Sequence, residues 1–484
     1  MNSIERAPER VTNHRGIVRR LPLQLVCILI VSAGAQLALA VRFFGFMTGD
    51  DVEVLAEAFR VATGFRYRAW DIRNLFIPDF VVAPPIRVAV MLGVSSVRVL
   101  AVIATLPFIG AHAVSTILVQ KLALRFTRDD GASIAAAALF ALHWIPLGFG
   151  STVYPRTLAT TAVLAAVYLL LCRSSRAAGL VAGALAAVAF ADRFSEVVFL
   201  LPLAIVARRR VVWLLAGFAS VVFVTIGFYD AVTWGEWFGS LRKFAQLTFI
   251  ESDFASRVKH QSSLWYLLTL PRWLSPFLIP LMWSGLRREV PGEGLRPSSE
   301  AVTIAMFVVV PLVAFSAVAH KELRYLHGVL PWVALLGAMG LARFGRIAGM
   351  SLVAGSIIWQ LYGLNTFAKK SMPAVVAAGQ LGKDASVDTV AMSQLWAYGD
   401  RLYFGDRMQV VDVGTPPVRL REGLHADAIC LYERDVVPEI EVALGEAGFR
   451  KSVILRSGRA RAVVVYRRRA ASAAVSETSD RARR

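Results

Sequence analysis

AVTIAMFVVVPLVAFSAVAHKELRYLHGVLPWVALLGAMGL, residues 301–341, holds two apolar runs on either side of one charged turn. The runs, 301–319 and 325–341, each approach the roughly 20 residues that carry a helix across a bilayer. Two such helices and a short turn form a membrane hairpin, so this stretch sets the fold class: an all-α polytopic membrane protein. A plain turn does not need His320, Lys321, Glu322 and Arg324. Ionisable groups at a membrane edge must be offset by partners, water or ligand. Cations beside one carboxylate suit an anionic headgroup such as a phosphate, which Arg grips bidentately and Lys meets as a point charge.

Composition agrees. The chain has 484 residues, 56% hydrophobic, with a mean hydropathy of +0.56, which is membrane-protein usage. The formal charge of +19 would suggest nucleic acid in a soluble protein. Here the arginines cap apolar segments, which is the positive-inside pattern, and nucleic acid is excluded as a partner. Cys27, Cys172 and Cys430 are scattered and form no CxxC, so neither disulfides nor zinc are expected.

Eleven segments are candidate spans: 22–43, 97–119, 132–149, 157–172, 177–191, 194–207, 211–230, 272–286, 301–319, 325–342 and 347–365. The first follows Arg19-Arg20 and includes Ala38-Leu39-Ala40, but it is longer than the roughly 7–15 apolar residues of a signal peptide. It reads as a retained anchor behind a cytoplasmic tail, 1–21. Basic clusters at Arg15/Arg19/Arg20, Lys121/Arg125/Arg128, Arg173/Arg176, Arg208-Arg209-Arg210, Arg287/Arg288 and Arg343/Arg346 fall on alternate loops, all assignable to the cytoplasm. Loops 44–96 and 231–271 are then exterior. In the first, Val52, Leu55, Phe59 and Ala62 share one helical face and Glu53, Glu57 and Arg60 another, the pattern of an amphipathic interfacial helix with a partly buried polar face. Segment 22–369 forms the membrane domain. Beyond it, 370–469 reads as a small exterior α/β or α+β domain. Its strands are placed at 387–392, 408–413, 428–432, 452–455 and 461–466, its helix at 437–448, and 470–484 is a disordered tail. No internal repeat supports a transporter.

Several clusters could do chemistry. One of Asp50 and Asp51 caps the helix that follows; the other is free to act as a general base for a hydroxyl. Trp70, Asp71 and Arg73 are either interfacial anchors or a platform for a sugar and a phosphate. Arg156 marks the next exterior turn. Asp192-Arg193 is either an internal ion pair or a ligand site. A segment from Tyr229-Asp230, at the end of span 211–230, runs into the second loop through Trp234, Trp237 and Phe244 to Glu251. No metal-ligand spacing, nucleophile elbow or glycine-rich phosphate loop occurs.

Taken in order, these pieces resemble glycosyltransferase family 22, the mannosyltransferases that elongate dolichol-linked oligosaccharides and the glycosylphosphatidylinositol core. The matching positions are Asp50-Asp51, Glu57, Trp70-Asp71, Arg73-Asn74, Arg193-Phe194-Ser195, Tyr229-Asp230, Gly235-Glu236-Trp237, Phe244, Glu251 and His320-Lys321-Glu322-Leu323-Arg324-Tyr325. Asp51 stands where the family has Glu, Asn74 where it has Ser, and Tyr325 where it has Phe. The resemblance implies a GT-C fold and inverting transfer of a sugar, mannose foremost, from a polyprenyl-phosphate donor to a lipid-linked or envelope glycan. It implies that Lys321, Arg324 and His320 hold the phosphate with Arg73 or Arg193, that Asp50 or Asp51 is the base, and that Glu322 orients a cation. Glu57, Trp70, Asp71, Arg156, Glu251 and Tyr325 complete the substrate contacts. No cofactor is required, although a divalent cation is left open. The arginine-rich composition points to a bacterial cytoplasmic membrane. Rivals are a GT-C transferase of arabinose or aminoarabinose, and a flippase for lipid-linked sugars.

Overall fold

The computed structural model describes residues 21–44, 47–65, 67–250, 261–290, 294–341, 343–370, 372–393, 408–413, 420–456 and 462–468. Five helical stretches are long and apolar enough to cross a membrane: Leu23–Phe43, Val97–Thr127, Phe194–Trp234, Ser299–Ala317 and Ile347–Lys369. Three shorter apolar helices, Asp130–Ala141, Arg156–Cys172 and Leu330–Leu341, lie among them. Among the described residues each of the eleven apolar segments lies mainly on helical turns, and the breaks have local causes. Segment 132–149 divides at His143, whose ring nitrogen accepts the Ile145 N–H and starts the helix Trp144–Phe149. Segment 272–286 contains Pro276 and Pro280, and its regular helix begins only at Leu278; each proline removes a backbone donor. The stretch 194–234 starts as a 3-10 turn, Phe194–Phe199, and carries a π-turn at Phe223–Phe228.

The bundle packs through small residues. A Cβ on Gly183 would sit 1.9 Å from Leu214 O, and one on Gly217 would sit 2.0 Å from Leu180 O, so the helices Arg176–Asp192 and Val211–Val222 meet backbone to backbone. Close approach through small residues is how helices associate where lipid removes the hydrophobic drive. Elsewhere the core is large: Trp332 stacks on Phe307 with centroids 4.1 Å apart, and both are buried.

The first long loop contains the expected amphipathic helix. Its helix Gly49–Thr63 does bury Val52, Leu55 and Phe59, but Ala56, Ala58 and Glu57 are buried too. It packs with Ala83–Met91 and Val97–Ala104 as a satellite core. Its polar face is mixed: Glu57 is buried and Glu53 half-buried, while Arg60 is exposed. In the C-terminal region a five-stranded mixed sheet runs in the order Gln409–Asp412, Thr389–Met392, Ala428–Tyr432, Val463–Arg468, Phe449–Leu455. The first three strands are parallel and the last two antiparallel. The helix Pro438–Glu446 accompanies it. The tails 1–20 and 469–484, including the whole basic cluster at Arg15/Arg19/Arg20, lie outside the described residues.

Gly183→Val should therefore force two backbones apart and cost about 1–3 kcal/mol or more. Thermal unfolding in detergent measures this, and an unchanged midpoint would contradict the contact.

Candidate active site

A cavity of about 860 Å³ opens between the first long loop, the turn after helix Arg176–Asp192, and the charged turn at 320–325. At its polar end one carboxylate gathers three arginines. Asp50 Oδ1 pairs with Arg73, and Oδ2 pairs with Arg193 and, at 2.9 Å, with Arg324. The four residues come from three separate parts of the chain. Arg73 also donates from Nε to Glu53 at 2.6 Å, and Arg324 is gripped by Glu322. Burial pushes the Asp50 carboxyl up, but Arg193, Arg324 and Arg73 together outweigh it and hold the group well below the usual carboxylate range. Asp50 is therefore an anion at any physiological pH and, while caged, a poor proton acceptor.

Helical spacing explains which acids reach the cavity. Asp50, Glu53 and Glu57 lie at i, i+3 and i+7 on one face of the helix. Asp50 and Glu53 line the cavity. Glu57, one turn further on, is buried and held by Arg60 at 2.5 Å. Asp51 is rotated about 100° from its neighbour. Its Oδ2 accepts Met47 N–H at 2.9 Å and Thr48 N–H at 3.1 Å, completing a capping box with Thr48. Asp51 is thus the cap and Asp50 the acid in the cavity, which separates two residues that the sequence left interchangeable. Glu57 is not a cavity residue.

Lys321 also differs from expectation. Its ammonium turns away from the cavity and donates to the backbone carbonyls of Val318 and, at 3.2 Å, Gln261. Val318 follows the last turn of helix Ser299–Ala317, where carbonyls lack intrahelical partners, and a nearby lysine satisfies one. With Gln261 N–H donating to Ala319 O at 3.1 Å, this staples the end of the second long loop to the motif. His320 lines the cavity, but burial depresses its pKa, against the pull of Glu322, so it serves as a hydrogen-bonding group rather than a charge. Glu322 pairs with Arg324.

Arg193 turns to Asp50, while Asp192 Oδ2 accepts the Ala159 N–H at 3.1 Å. Arg156 lies under the Tyr325 ring, 4.6 Å from its centroid, pairs with buried Glu196 and donates to Ser195 Oγ at 2.7 Å. Trp70 lines the cavity with the Arg73 guanidinium 5.7 Å from its ring. Asp71 pairs with Lys243 across the two loops, outside the cavity lining. Glu251 lies outside the described residues. Glu53 and Glu196 were not singled out from the sequence. Glu53 carried a signal, its i+3 spacing from Asp50; Glu196 sits three residues after Arg193 but pairs with a residue forty positions away. Among the described residues no three His, Cys, Asp or Glu side chains are grouped to hold a metal ion.

The geometry has relatives. The Alg9-like mannosyltransferase family matches residues 58–380, and the chain belongs to that family. No curated protein matches. ArnT from Cupriavidus metallidurans bound to undecaprenyl phosphate is similar in fold, with a TM-score of 0.57 and 14% identity over 91% of this chain and 97% of that one. Its apo state gives 0.57 and 15% over the same shares. The archaeal oligosaccharyltransferase AglB from Archaeoglobus fulgidus, in complex with an inhibitory peptide and a dolichol-phosphate, gives 0.48 and 11%, covering 88% of this chain and 70% of that one. The chain is an integral membrane glycosyltransferase of GT-C fold.

Burial raises the Asp51 carboxyl to about 6, with Arg324 and the Met47 N–H opposing the rise. The folded state then keeps a proton that the unfolded state releases near its reference pKa of about 3.9. Ionising Asp51 therefore weakens the fold as pH climbs from about 4 to about 6. Across that window, melting midpoints of Asp51→Asn should gain on those of the wild type; a constant gap would count against the assignment.

Proposed function

We propose that the chain is an inverting transferase that moves a sugar, mannose foremost, from a polyprenyl-phosphate donor to a lipid-linked or envelope glycan. The observation that carries this is Asp50 caged by Arg73, Arg193 and Arg324 at the polar end of a cavity whose other walls are apolar. Those walls include Val197, Leu241, Phe244, Leu247, Phe249 and Val318. Phe249 and Val197 are exposed, which suits a cavity open to lipid chains. Each methylene of a polyprenyl tail lodged there contributes about 0.8 kcal/mol. That a protein of the same fold binds undecaprenyl phosphate supports the donor class.

The chemistry follows from charge. Asp50, Glu53 and Asp192 line the cavity with Arg73, Arg156, Arg193 and Arg324, and Arg156 is already neutralised by Glu196. Burial pushes the Asp192 carboxyl well above the usual carboxylate range, so the guanidinium groups outnumber the ionised carboxylates, and a donor phosphate shares them with Asp50. Drawing Arg193 and Arg324 onto the phosphate removes what depresses the Asp50 pKa, so the carboxylate gains basicity when the donor is in place. The acceptor hydroxyl then attacks the anomeric carbon. A bond forms from acceptor oxygen to that carbon, the bond from carbon to phosphate oxygen breaks, and the proton passes to Asp50. The polyprenyl phosphate leaves with its charge held by the guanidinium groups. One displacement at one carbon inverts it. Positive charge comes from arginine in this scheme, and no step calls for a metal ion. We place this face of the site outside the cytoplasm of a bacterial inner membrane, with about eleven crossings once the shorter helices are included.

Purified protein incubated with labelled polyprenyl-phosphate sugars and envelope lipids tests the reading. Asp50→Asn should lower turnover about 10²–10⁴-fold, the range for a lost general base, while Asp51→Asn, a cap change, leaves most of it. Full activity in Asp50→Asn would refute the assignment.

A further inference from the structure

Resting on the reading of the cavity as a phosphate site, we propose that Asp230 is a positioning residue that locks the second long loop onto the first so that Arg73 is presented to Asp50 and Glu53. Asp230 is fully buried. Its Oδ1 accepts Asn74 Nδ2 at 3.1 Å, and its Oδ2 accepts Ser240 N–H at 2.9 Å and Ser240 Oγ at 2.6 Å. Asn74 is the residue after Arg73. Its amide also donates to Thr225 O at 2.8 Å, and its Oδ1 accepts Phe76 N–H at 3.1 Å, so it is fixed on both sides. A second tie comes from the same loop: Trp234 Nε1 donates to Arg73 O at 3.2 Å. The Arg73 backbone is thus held directly by Trp234 and, through the side chain of Asn74, by Asp230, which Ser240 braces, while its guanidinium reaches forward to two carboxylates.

Both ties originate more than 150 residues along the chain from Arg73. Bonds to an ionised carboxylate are among the stronger hydrogen bonds, and one group taking donors from two loops couples their positions. Arginine side chains carry large rotamer freedom, so a fixed backbone decides whether the fork arrives in register. A shift of about 1 Å at such a contact can cost about 10²-fold. The role differs from that of the cavity arginines: Asp230 lines no part of the cavity and acts through Arg73.

Asp230→Asn preserves shape but must set an NH₂ group against one of its present donors. Undecaprenyl phosphate binding to detergent-solubilised wild type, Asp230→Asn, Arg73→Gln and the double variant is measured alongside hydrogen exchange of peptides spanning 67–77. Asp230→Asn is expected to weaken binding about 10-fold or more, yet to cost nothing further once Arg73 is gone. Exchange over 67–77 should quicken while 323–328 stays unchanged. Additive losses in the double variant, or unchanged exchange over 67–77, overturn the proposal. A wild type that binds no undecaprenyl phosphate sinks the donor assignment instead, and the exchange comparison still decides the clamp. Trp234→Phe, which removes only the indole donor, carries the same comparison if Asp230→Asn is not recovered folded.

Discussion

The site is organised by one carboxylate that cannot satisfy all its partners alone. Asp50 faces three guanidinium groups with two oxygens, and Glu53 and Glu322 take part of what is left of Arg73 and Arg324. Burying ions costs several kcal/mol each unless geometry and hydrogen bonds offset it. The offset here is collective: removing any one member leaves a charge stranded. The helix Gly49–Thr63, the turn after Asp192 and the 3-10 turn Leu323–Gly328 are therefore pinned to one another by electrostatics as well as by packing.

Around that cage the chain supplies a rigid frame. Tyr154 OH donates to Arg324 O at 3.3 Å and Tyr266 OH to Glu322 O at 3.2 Å, so the backbone of the charged turn is held at two points. Arg156 supports the Tyr325 ring from below. Side chains positioned by such secondary contacts keep their geometry without ligand, as electrostatic preorganisation requires. The apolar end of the cavity includes the exposed side chains of Val197 and Phe249.

Much of this was legible in the sequence. Apolar runs gave the helices because hydrophobicity over that length has few other solutions, and the charged motif at 320–325 identified one wall of the site. What stayed hidden was where each charge points. Lys321 and Arg324 look equivalent in a string of letters, but a helix end with spare carbonyls captures the nearer ammonium and leaves the guanidinium for the cavity. Asp51 lost its place in the site for a similar reason: the helix start offered it backbone N–H groups. Glu57 has the right face but lies a turn too far. Glu196 was silent because its partner, Arg156, comes from another helix. Local periodicity predicts faces; only tertiary pairing says which partner a charge will choose.

The wide sequence separation of the cage has a consequence for biogenesis. A ribosome releases Asp50 early and Arg324 only after most of the hydrophobic helices have been delivered to the bilayer. Until then the acid lacks one of its three counterions, Arg324, and the half-built chamber has no wall at 320–325. The cage is accordingly complete only when the late turn docks against the early helix.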